Sequence, residues 1–247
     1  MPGSGDPRRD ETRLDGRTVA VVIPWRPGTA QRNAHHDYVR QHLRAVIPSA
    51  LHIGVDSGVD SGHAPFSRAG SRNKGVRIAQ ASGADIVIIC DADTLVEAEP
   101  LHAAIAAAGD GRLHLPYTWY RGLSEAGTQA YLDGTDPALC PTDWEHEWAT
   151  GGVLVVTPAA WDAAGGMDER CRGWGHEDVI LRLCADALLG PTVKHEGTIT
   201  HLWHPLESGL GSPEHIANGS LCQRYIDADG NPDSIRALID ERQTVNA

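Results

Sequence analysis

The segment SRNKGVRIAQASGADIVIICDAD, residues 71–93, decides which fold the chain can adopt. Its first part, Ser71–Ser82, has the composition of a helix that ends at Gly83. Asp85–Cys90 follows as a continuous apolar run, which is typical of a strand buried on both faces. The strand runs directly into Asp91-Ala92-Asp93. The segment therefore predicts a helix, a buried strand and two carboxylates at the carboxyl end of that strand.

The residues before this segment repeat the alternation of strand and helix. Thr18–Pro24 and Leu51–Asp56 are predicted strands, and Ala34–Val46 between them is a predicted helix. This order predicts an α/β fold in which a parallel sheet carries helices on both faces. Ligands of such sheets bind at the carboxyl ends of the strands. In this chain those ends carry Pro24-Trp25-Arg26, Asp56 and the Asp-Ala-Asp tripeptide.

The second half of the chain contains fewer predicted helices. The pattern predicts strands over Arg112–Tyr120 and Gly152–Thr157, a helix over Glu177–Leu189, a strand or strand pair over Thr192–Leu202 and a last helix near Asp233–Glu241. We expect a disordered tail over residues 1–16 and one domain over 17–247. Within that domain we expect a first half, 17–95, a second half, 96–204, that supplies the other side of a cleft, and a loop-rich segment, 205–247, that ends in the last helix.

Composition and charge exclude several classes of protein. The chain has 33 acidic and 21 basic residues, a net charge of −12, which argues against extended contact with nucleic acid or an anionic membrane. Its apolar runs, such as Ile86–Cys90, are far shorter than the roughly 20 residues of a membrane-spanning helix. The polar N-terminus does not resemble a signal peptide. Five cysteines without paired spacing indicate reduced thiols, so we expect a cytoplasmic protein.

The Asp91-Ala92-Asp93 tripeptide is the first candidate for chemistry. Two carboxylates where a strand breaks into a loop can face one divalent cation, and oxygen ligands suit Mg²⁺ or Mn²⁺. The alternative is an ordinary turn, because Asp favours turns. The chain contains its own comparison, since Asp227-Ala228-Asp229 has the same letters but follows no apolar run. Context therefore favours a metal site at Asp91 and a plain turn at Asp227.

The hexapeptide Gly173-Trp174-Gly175-His176-Glu177-Asp178 opens the predicted helix over Glu177–Leu189. Acids at a helix N-terminus are stabilised by the helix dipole, which explains them without any function. In the functional interpretation, one carboxylate activates an acceptor hydroxyl while Trp174 stacks on a sugar. We expect the dipole to lower the pKa of Asp178 and to keep its carboxylate ionised at neutral pH.

Two further groups of residues could assist a metal site. His201 or His204 could add an imidazole to the metal, which Mn²⁺ tolerates better than Mg²⁺. Because the two are three residues apart, a strand would place them on opposite faces, and we expect only one to reach the metal. A zinc site at these histidines lacks a third ligand nearby. The second group, basic side chains near the first strand ends, could form a diphosphate pocket or simply a solvated helix face; it comprises Arg26, Arg68, Arg72 and Lys74.

Together these motifs resemble the catalytic domain of the β-1,4-galactosyltransferases, which are glycosyltransferases of the GT-A fold, and more distantly the polypeptide N-acetylgalactosaminyltransferases. Ile23-Pro24-Trp25-Arg26 resembles the I-P-F-R motif of that family, and Phe66-Ser67-Arg68-Ala69 with Asn73 and Gly75 resembles F-N-R-A followed by N-x-G. Asp91-Ala92-Asp93 stands at the D-x-D motif. The remaining matches are Gly151-Gly152-Val153 at F-G-G-V, Gly173–Asp178 at G-W-G-G-E-D, and His201 at the metal-binding histidine. The order of the motifs holds from about Thr18 to His201.

The resemblance implies an α/β fold of the GT-A type, with a Rossmann-like mixed sheet, and a hexosyltransferase that uses Mn²⁺ or Mg²⁺. It implies that Asp93 and His201, or alternatively His204, bind the metal. Asp178 would be the general base of an inverting transfer, with Glu177 beside it. The residues implied to bind the nucleotide sugar are Pro24, Trp25, Arg26, Asp56, Phe66, Arg68, Asn73, Asp91, Ala92 and Asp93. Those implied on the acceptor side are Gly152, Trp174, Gly175 and Glu177.

Three other functions compete with this interpretation. A retaining transferase, as among the N-acetylgalactosaminyltransferases, would not use Asp178 as its base. A nucleotidyltransferase would need a glycine-rich phosphate loop near the N-terminus, and residues 24–28 contain too few glycines. A non-catalytic sugar-nucleotide-binding module would not need the intact acids. We therefore expect a UDP-sugar donor and an acceptor hydroxyl on a glycan, protein, lipid or modified base.

Overall fold

A computed structural model describes residues 13–14, 16–55, 66–147, 149–205 and 209–245. The strands are Arg13–Leu14 (β1), Arg17–Pro24 (β2), Leu51–Val55 (β3), Ile86–Cys90 (β4), Thr94–Val96 (β5), His114–Leu115 (β6), Trp119–Leu123 (β7), Thr142–His146 (β8), Val153–Val156 (β9), Val193–Lys194 (β10) and Thr198–His201 (β11). The α-helices are Ala30–Val46 (α1), Arg68–Ala81 (α2), Ala98–Ala107 (α3), Glu125–Leu132 (α4), Pro158–Ala163 (α5), Glu177–Leu189 (α6), Pro213–Asp227 (α7) and Pro232–Val245 (α8).

The larger sheet is mixed, as the resemblance implies. Strand β2 pairs in parallel with both β3 and β4, which confirms the parallel arrangement expected for the first half. On its other side β4 pairs antiparallel with β9, which pairs antiparallel with β6, and β10 pairs in parallel with β6. Strand β1 pairs antiparallel with the first residues of β2, so the tail predicted to be disordered contains a strand at Arg13–Leu14.

Close packing brings α2 against the centre of this sheet. Every residue of β4 is buried, as its continuous apolar sequence predicts. Gly75 of α2 lies directly over Val22, and a Cβ atom at Gly75 would overlap a methyl group of that valine. Ser67 caps the helix, because its hydroxyl accepts a hydrogen bond from the Gly70 N–H. Helix α2 therefore begins three residues before the predicted start at Ser71.

A smaller sheet, in the order β5-β11-β7-β8, lies beside the larger one. Strand β11 is parallel to β7 and antiparallel to β5, and β8 is antiparallel to β7. The single strand predicted over Arg112–Tyr120 is wrong, because Pro116 separates β6 in the larger sheet from β7 in the smaller one. Thr192–Leu202 is a strand pair, β10 and β11, and its two strands also belong to different sheets.

The segment from residue 205 onward is more helical than predicted. Helices α7 and α8 pack on α6 through a second apolar cluster that includes Ile180, Tyr225 and Ile235. Only three residues of α7 are buried, Asn218, Cys222 and Tyr225, so its sequence shows little apolar periodicity and did not predict a helix. Its start does have a signal, since the Ser212 hydroxyl accepts a hydrogen bond from His215 N–H and Pro213 occupies the first turn. Asp227-Ala228-Asp229 lies at the end of α7, where Asp229 has a positive φ, as expected of a turn.

Two features bear on the expected cellular setting. All five cysteines are buried and carry free thiols, as their spacing predicts. Among the helices of the described ranges, none combines the length and apolar character that crossing a membrane would need.

Candidate active site

Asp93, His201 and His204 converge at the junction of the two sheets. Asp93 lies between the end of β4 and the start of β5, and its carbonyl oxygen accepts a hydrogen bond from Leu202 N–H. The Nε2 atom of His201 lies 3.7 Å from Asp93 Oδ1, and the Nε2 atom of His204 lies 3.3 Å from Asp93 Oδ2. One potential ligand atom from each residue falls within 4.8 Å of the others. We call these three residues the metal triad.

Both histidines approach Asp93, so the opposite faces expected for residues three apart in a strand are not observed. That expectation assumed a strand running through both residues. In the structure β11 ends at His201, and the chain then leaves the sheet. The backbone N–H of Leu202 is fixed by Asp93 and that of Trp203 by the Thr128 hydroxyl. Outside a strand, alternation no longer sends residues three apart to opposite faces. Which of the two histidines binds a metal stays a prediction.

The electrostatics of the triad fit a cation site. Burial raises the pKa of Asp93, but the two imidazoles outweigh burial and hold this pKa below its usual range. Burial lowers the pKa of His201, so that its neutral, metal-binding form is favoured. The hydrogen bond to Asp93 raises the pKa of His204. A carboxylate with two imidazoles is a donor set that suits Mn²⁺ better than Mg²⁺.

Arg72 links the D-x-D tripeptide to the opposite side of the cleft. Its Nη2 atom lies 2.6 Å from Asp91 Oδ1, and its Nη1 atom lies 2.6 Å from Asp178 Oδ1. The side chain is 1% exposed. Burial lowers the pKa of Arg72, but the surrounding carboxylates reverse this effect and raise the pKa above its usual range. Arg72 therefore carries a fixed positive charge that holds Asp91 and Asp178 in one row.

The environment of Asp178 differs from the expectation. Burial raises its pKa to about 7, although the Arg72 charge acts in the opposite direction. Glu177 and Asp91 raise the pKa further. The predicted lowering by the helix dipole is therefore wrong, because removal from water outweighs the dipole at this position. A carboxylate with a pKa near 7 is suited to accept a proton at neutral pH.

Gly151 leaves space beside Asp178, and the next residue, Gly152, lies against Ile199. A Cβ atom at Gly151 would collide with Oδ2 of Asp178, the oxygen that does not contact Arg72. Gly152 has a φ of +85°, and a Cβ there would lie 2.8 Å from Ile199 Cδ1. The Tyr117 hydroxyl donates a hydrogen bond of 2.5 Å to the Gly151 carbonyl oxygen and fixes this turn. The turn expected on the acceptor side thus lies directly against the candidate base.

Glu177 is less accessible than the sequence suggests. Only 4% of the residue is exposed, and its Oε1 atom lies 3.9 Å from Nη1 of Arg68. Its Oε2 atom is buried and has no hydrogen-bond partner among the described residues. The residue lies at the start of α6, after His176, which takes up a left-handed backbone conformation with a φ of 74°. Contact between Glu177 and an acceptor stays a prediction.

Comparisons with known proteins support the architecture. No family model and no curated protein matches the chain. Among solved structures, Drosophila β-1,4-galactosyltransferase 7, solved with manganese, UDP-galactose and xylobiose, is 16% identical over 81% of this chain and 78% of that chain, with a TM-score of 0.54. GalNAc-T7, solved with UDP, GalNAc and Mn²⁺, is 13% identical over 86% of this chain and 48% of that chain, with a TM-score of 0.51. The chain has the GT-A fold.

Within the GT-A fold, the expected nucleotide residues divide into two sets. Arg26 and Phe66 lie together, with the guanidinium carbon 5.5 Å from the ring centroid, near Arg68 at the start of α2. Trp25 instead stacks on His36 at 4.1 Å and packs on the core. Pro24 ends β2, while Ala92 is half-buried against the core. Asp56 lies outside the described residues.

Asn73 has a different set of partners from the one the resemblance implies. Its amide nitrogen donates to the Met167 carbonyl oxygen and to Glu169 Oε1, each at 2.9 Å. Its amide oxygen accepts a hydrogen bond from Met167 N–H. These three bonds tie α2 to the loop before α6. Nucleotide binding by Asn73 stays a prediction.

The basic cluster expected to form a diphosphate pocket is also divided. Arg72 is buried and paired with two carboxylates, so it is not available to a phosphate. Arg26 and Arg68 remain on the side of the cleft that carries Phe66. The sequence could not separate Arg72 from Arg68 and Lys74, because all three lie on one helix, α2.

The loop Gly173–Gly175 rests on helix α7. Trp174 is 45% exposed, and its ring stacks on His215 with centroids 5.5 Å apart. The Asn218 amide nitrogen donates to the Arg172 carbonyl oxygen at 2.7 Å and to that of Gly175 at 3.1 Å. The loop that carries Trp174 therefore packs on α7, a helix that the sequence did not predict.

An aromatic group beside His201 was not assigned from the sequence. Tyr120, Trp144 and His146 lie on β7 and β8, and the Trp144 ring is 5.9 Å from that of His201. Trp144 stacks on His146 at 5.0 Å. Their spacing of two residues, which puts both on one face of a strand, is the signal that could have identified the group.

Proposed function

We propose that this protein is a metal-dependent glycosyltransferase that transfers a sugar from a nucleoside-diphosphate sugar to an acceptor hydroxyl. The observation that carries the proposal is a single row of groups within a GT-A fold. The metal triad stands at one end of this row and the carboxylate of Asp178 at the other, with Asp91 and Arg72 between them. Transfer from such a donor needs a cation at the leaving group and a base at the acceptor.

Asp93, His201 and His204 would hold the metal. When bound, a divalent cation acts as a Lewis acid that neutralises charge on the departing diphosphate. The three side chains fit this group because their donor atoms already lie within 4.8 Å of one another. Arg26 and Arg68 supply further positive charge for the phosphates. The ring of Phe66, next to Arg26, could pack against the nucleobase.

Asp178 would act as the general base. Its Oδ1 atom is held by Arg72, which leaves Oδ2, beside Gly151, to accept the proton of the acceptor hydroxyl. Arg72 positions this carboxylate and Asp91 together. A base on the acceptor side implies direct displacement and inversion at the anomeric carbon.

The donor is proposed to be a UDP-sugar. Both similar structures named above were solved with UDP or a UDP-sugar and with manganese, which supports this choice. Calorimetric titration of UDP and GDP in Mn²⁺ tests which nucleobase the donor carries. Tighter binding of GDP would contradict the choice and would leave the proposed chemistry intact.

The proposal is tested with a panel of nucleotide sugars in Mn²⁺, with release of the nucleoside diphosphate as the readout. We expect release with at least one donor and loss of that release in excess EDTA. Release that is unaffected by EDTA contradicts the metal assignment. Binding of every active nucleotide without any release, with or without acceptor, indicates a binding module instead of an enzyme.

A retaining transferase is the second candidate, because the similar structures include GalNAc-T7. Proton NMR of the newly formed glycosidic bond distinguishes the two. Inversion supports Asp178 as the base, whereas a retained configuration removes that role.

A further inference from the structure

A groove of about 780 Å³ opens between α1, α4 and the segment after β11. Residues that line it and enter the argument are His35, Glu125, Gln129, Asp143 and Trp203. None of them belongs to the row from Asp91 through Arg72 to Asp178. The volume falls in the range of about 300–1,000 Å³ that is usual for ligand pockets.

The groove adjoins the metal triad from the side of α1. Trp203, which lines the groove, stands between the two histidines of the triad in the chain. His35 also lines the groove, but the residue is 3% exposed and its Nδ1 atom is buried. The groove therefore opens beside the chain segment that carries both histidines of the triad.

The groove wall is preorganised. The Thr128 hydroxyl accepts a 2.8 Å hydrogen bond from Trp203 N–H, and the Gln31 amide lies 3.5 Å from the Trp203 carbonyl oxygen. Helices α1 and α4 therefore fix the backbone of Trp203 from two sides. Its indole is half-buried, so one part packs and another part faces the groove.

The chemistry of the lining favours one class of ligand. Of the residues that the structure describes, neither an Arg nor a Lys lines the groove, whereas Glu125 and Asp143 place two exposed carboxylates there. Such a wall repels phosphates and other anions. Carboxylates and the Gln129 amide form hydrogen bonds with hydroxyl groups, and an indole packs against the C–H face of a sugar ring.

We propose that this groove binds a neutral carbohydrate and serves as a subsite for a glycan acceptor beside the metal triad. The role as an acceptor subsite rests on the proposed function, whereas carbohydrate binding by the groove does not. The nucleotide side, with Arg26, Phe66 and Arg68, is basic, so the two regions differ in the charge of the ligand they select.

The test is binding of cellobiose, lactose, xylobiose and maltotriose, measured by saturation-transfer NMR without donor. Ala126 is exposed and lines the groove, so Ala126→Phe fills it with a ring. Ala103, an exposed alanine on α3, gives the matched control Ala103→Phe. We expect at least one sugar to bind the unaltered protein and Ala103→Phe equally. Ala126→Phe should weaken that binding by roughly tenfold or more, because the ring removes the contact surface.

A milder pair of variants decides the case if Ala126→Phe does not fold. Gln129 donates to Asp133 four residues later on α4, and Gln223 donates to Asp227 in the same way on α7. Gln129→Ala should weaken binding by about fivefold, the value of one hydrogen bond, and Gln223→Ala should not change it. No binding of any of the four sugars, or equal binding by the groove and control variants, overturns the proposal.

The outcome is separate from that of the proposed function. Asp93→Asn and Asp178→Asn should keep carbohydrate binding while they lose transfer. If donor turnover is absent from the unaltered protein but the groove variants still lose sugar binding, the groove is supported and the proposed function fails. If turnover is present and the groove binds no sugar, the proposed function stands and the groove proposal fails.

Discussion

Two clusters within the described part of the chain each contain one aspartate and two histidines, and they differ in arrangement. The metal triad lies where the two sheets meet. The second cluster, Asp110, His114 and His195, lies at the β6–β10 side of the larger sheet. In the triad, two imidazoles approach the two oxygens of one carboxylate from separate directions. In the second cluster, the three residues form a linear chain of hydrogen bonds with His114 in the middle.

Both ring nitrogens of His114 form hydrogen bonds within the second cluster. His114 Nε2 lies 3.0 Å from Asp110 Oδ1, and His114 Nδ1 lies 3.1 Å from His195 Nε2. Arg112 also binds the second oxygen of Asp110, at 2.7 Å. Both nitrogens of His114 are engaged, so no common point remains for a cation. The comparison shows that a metal site requires donor atoms that converge, beyond the presence of the residue types.

The largest expected effect comes from removing the carboxylate of each cluster. Asp93→Asn should lower nucleoside diphosphate release by at least about 10⁴-fold, because it removes a charge from the cation site. Asp110→Asn should leave release within about twofold. Asp229→Asn, in the second Asp-Ala-Asp, is a further control, since asparagine tolerates its positive φ. Equal losses at Asp93 and Asp110 would remove the distinction between the clusters.

The second-largest expected effect concerns Asp178, the proposed general base. Asp178→Asn is nearly isosteric and should lower transfer by about 10²–10⁴-fold while donor binding is kept. Because burial raises the pKa of Asp178 to about 7, the basic form is lost as pH falls. The kcat/KM of the unaltered enzyme should therefore rise with pH through about 7. A pH profile of Asp178→Asn that keeps this rise would assign the titration to another group.

A smaller effect is expected from the arginines that accompany the two regions. Arg72→Lys keeps the charge, but one ammonium group cannot replace the two separate 2.6 Å contacts to Asp91 and Asp178. We expect turnover to fall by about tenfold and the ascending limb of the pH profile to move upward, since Asp178 loses its fixed partner. Arg112→Lys is the matched variant in the second cluster and should not change turnover. An unmoved pH profile in Arg72→Lys would show that Arg72 does not position the base.

The smallest effect is on stability. Asp110→Asn should cost about 1 kcal/mol of unfolding free energy at neutral pH, measured by urea denaturation. Burial is the largest single influence and raises the pKa of Asp110, but the hydrogen bonds from His114 and Arg112 together lower this pKa below its usual value. A lowered carboxyl pKa stabilises the fold above the unfolded pKa and loses that effect as pH falls through the folded pKa. The difference between the variant and the unaltered protein should therefore vanish in acid, and a constant difference would contradict this origin.

The sequence predicted best where local pattern and burial agree. The apolar runs of β2 and β4 and the helix α6 follow directly from composition, and Asp93 follows from its place at the end of β4. The sequence did not predict that Pro116 divides one apparent strand between two sheets. The approach of both triad histidines to Asp93 depends on where β11 ends, which the pairing with β5 and β7 determines.

The remaining differences arise from contacts between distant residues. The pKa of Asp178 depends on its burial among Arg72, Glu177 and Asp91, which the helix position alone does not reveal. The contacts of Arg72 with Asp91 and Asp178 join α2 to the end of β4 and to α6, and no local sequence pattern indicates them. The groove proposed to bind carbohydrate is lined by four separate segments, α1, α4, β8 and the residues after β11, and none of them has a motif of its own.

The buried ion pairs under the loop before α6 have a consequence for the order in which the site is made. Asp168 is fully buried and contacts Arg242 of α8 at 3.3 Å, and Arg242 also donates to the Gly165 carbonyl oxygen, 77 residues earlier. Arg170, two residues after Asp168, pairs with that carboxylate at 2.7 Å and is synthesised with it, whereas Tyr225 of α7 and Arg242 of α8 come much later. On a ribosome, the loop that carries Trp174 and leads to Asp178 can therefore reach its full set of contacts only after α8 has been synthesised. The ends of β4 and β11 that carry the triad residues precede α8 in the chain and do not depend on these contacts.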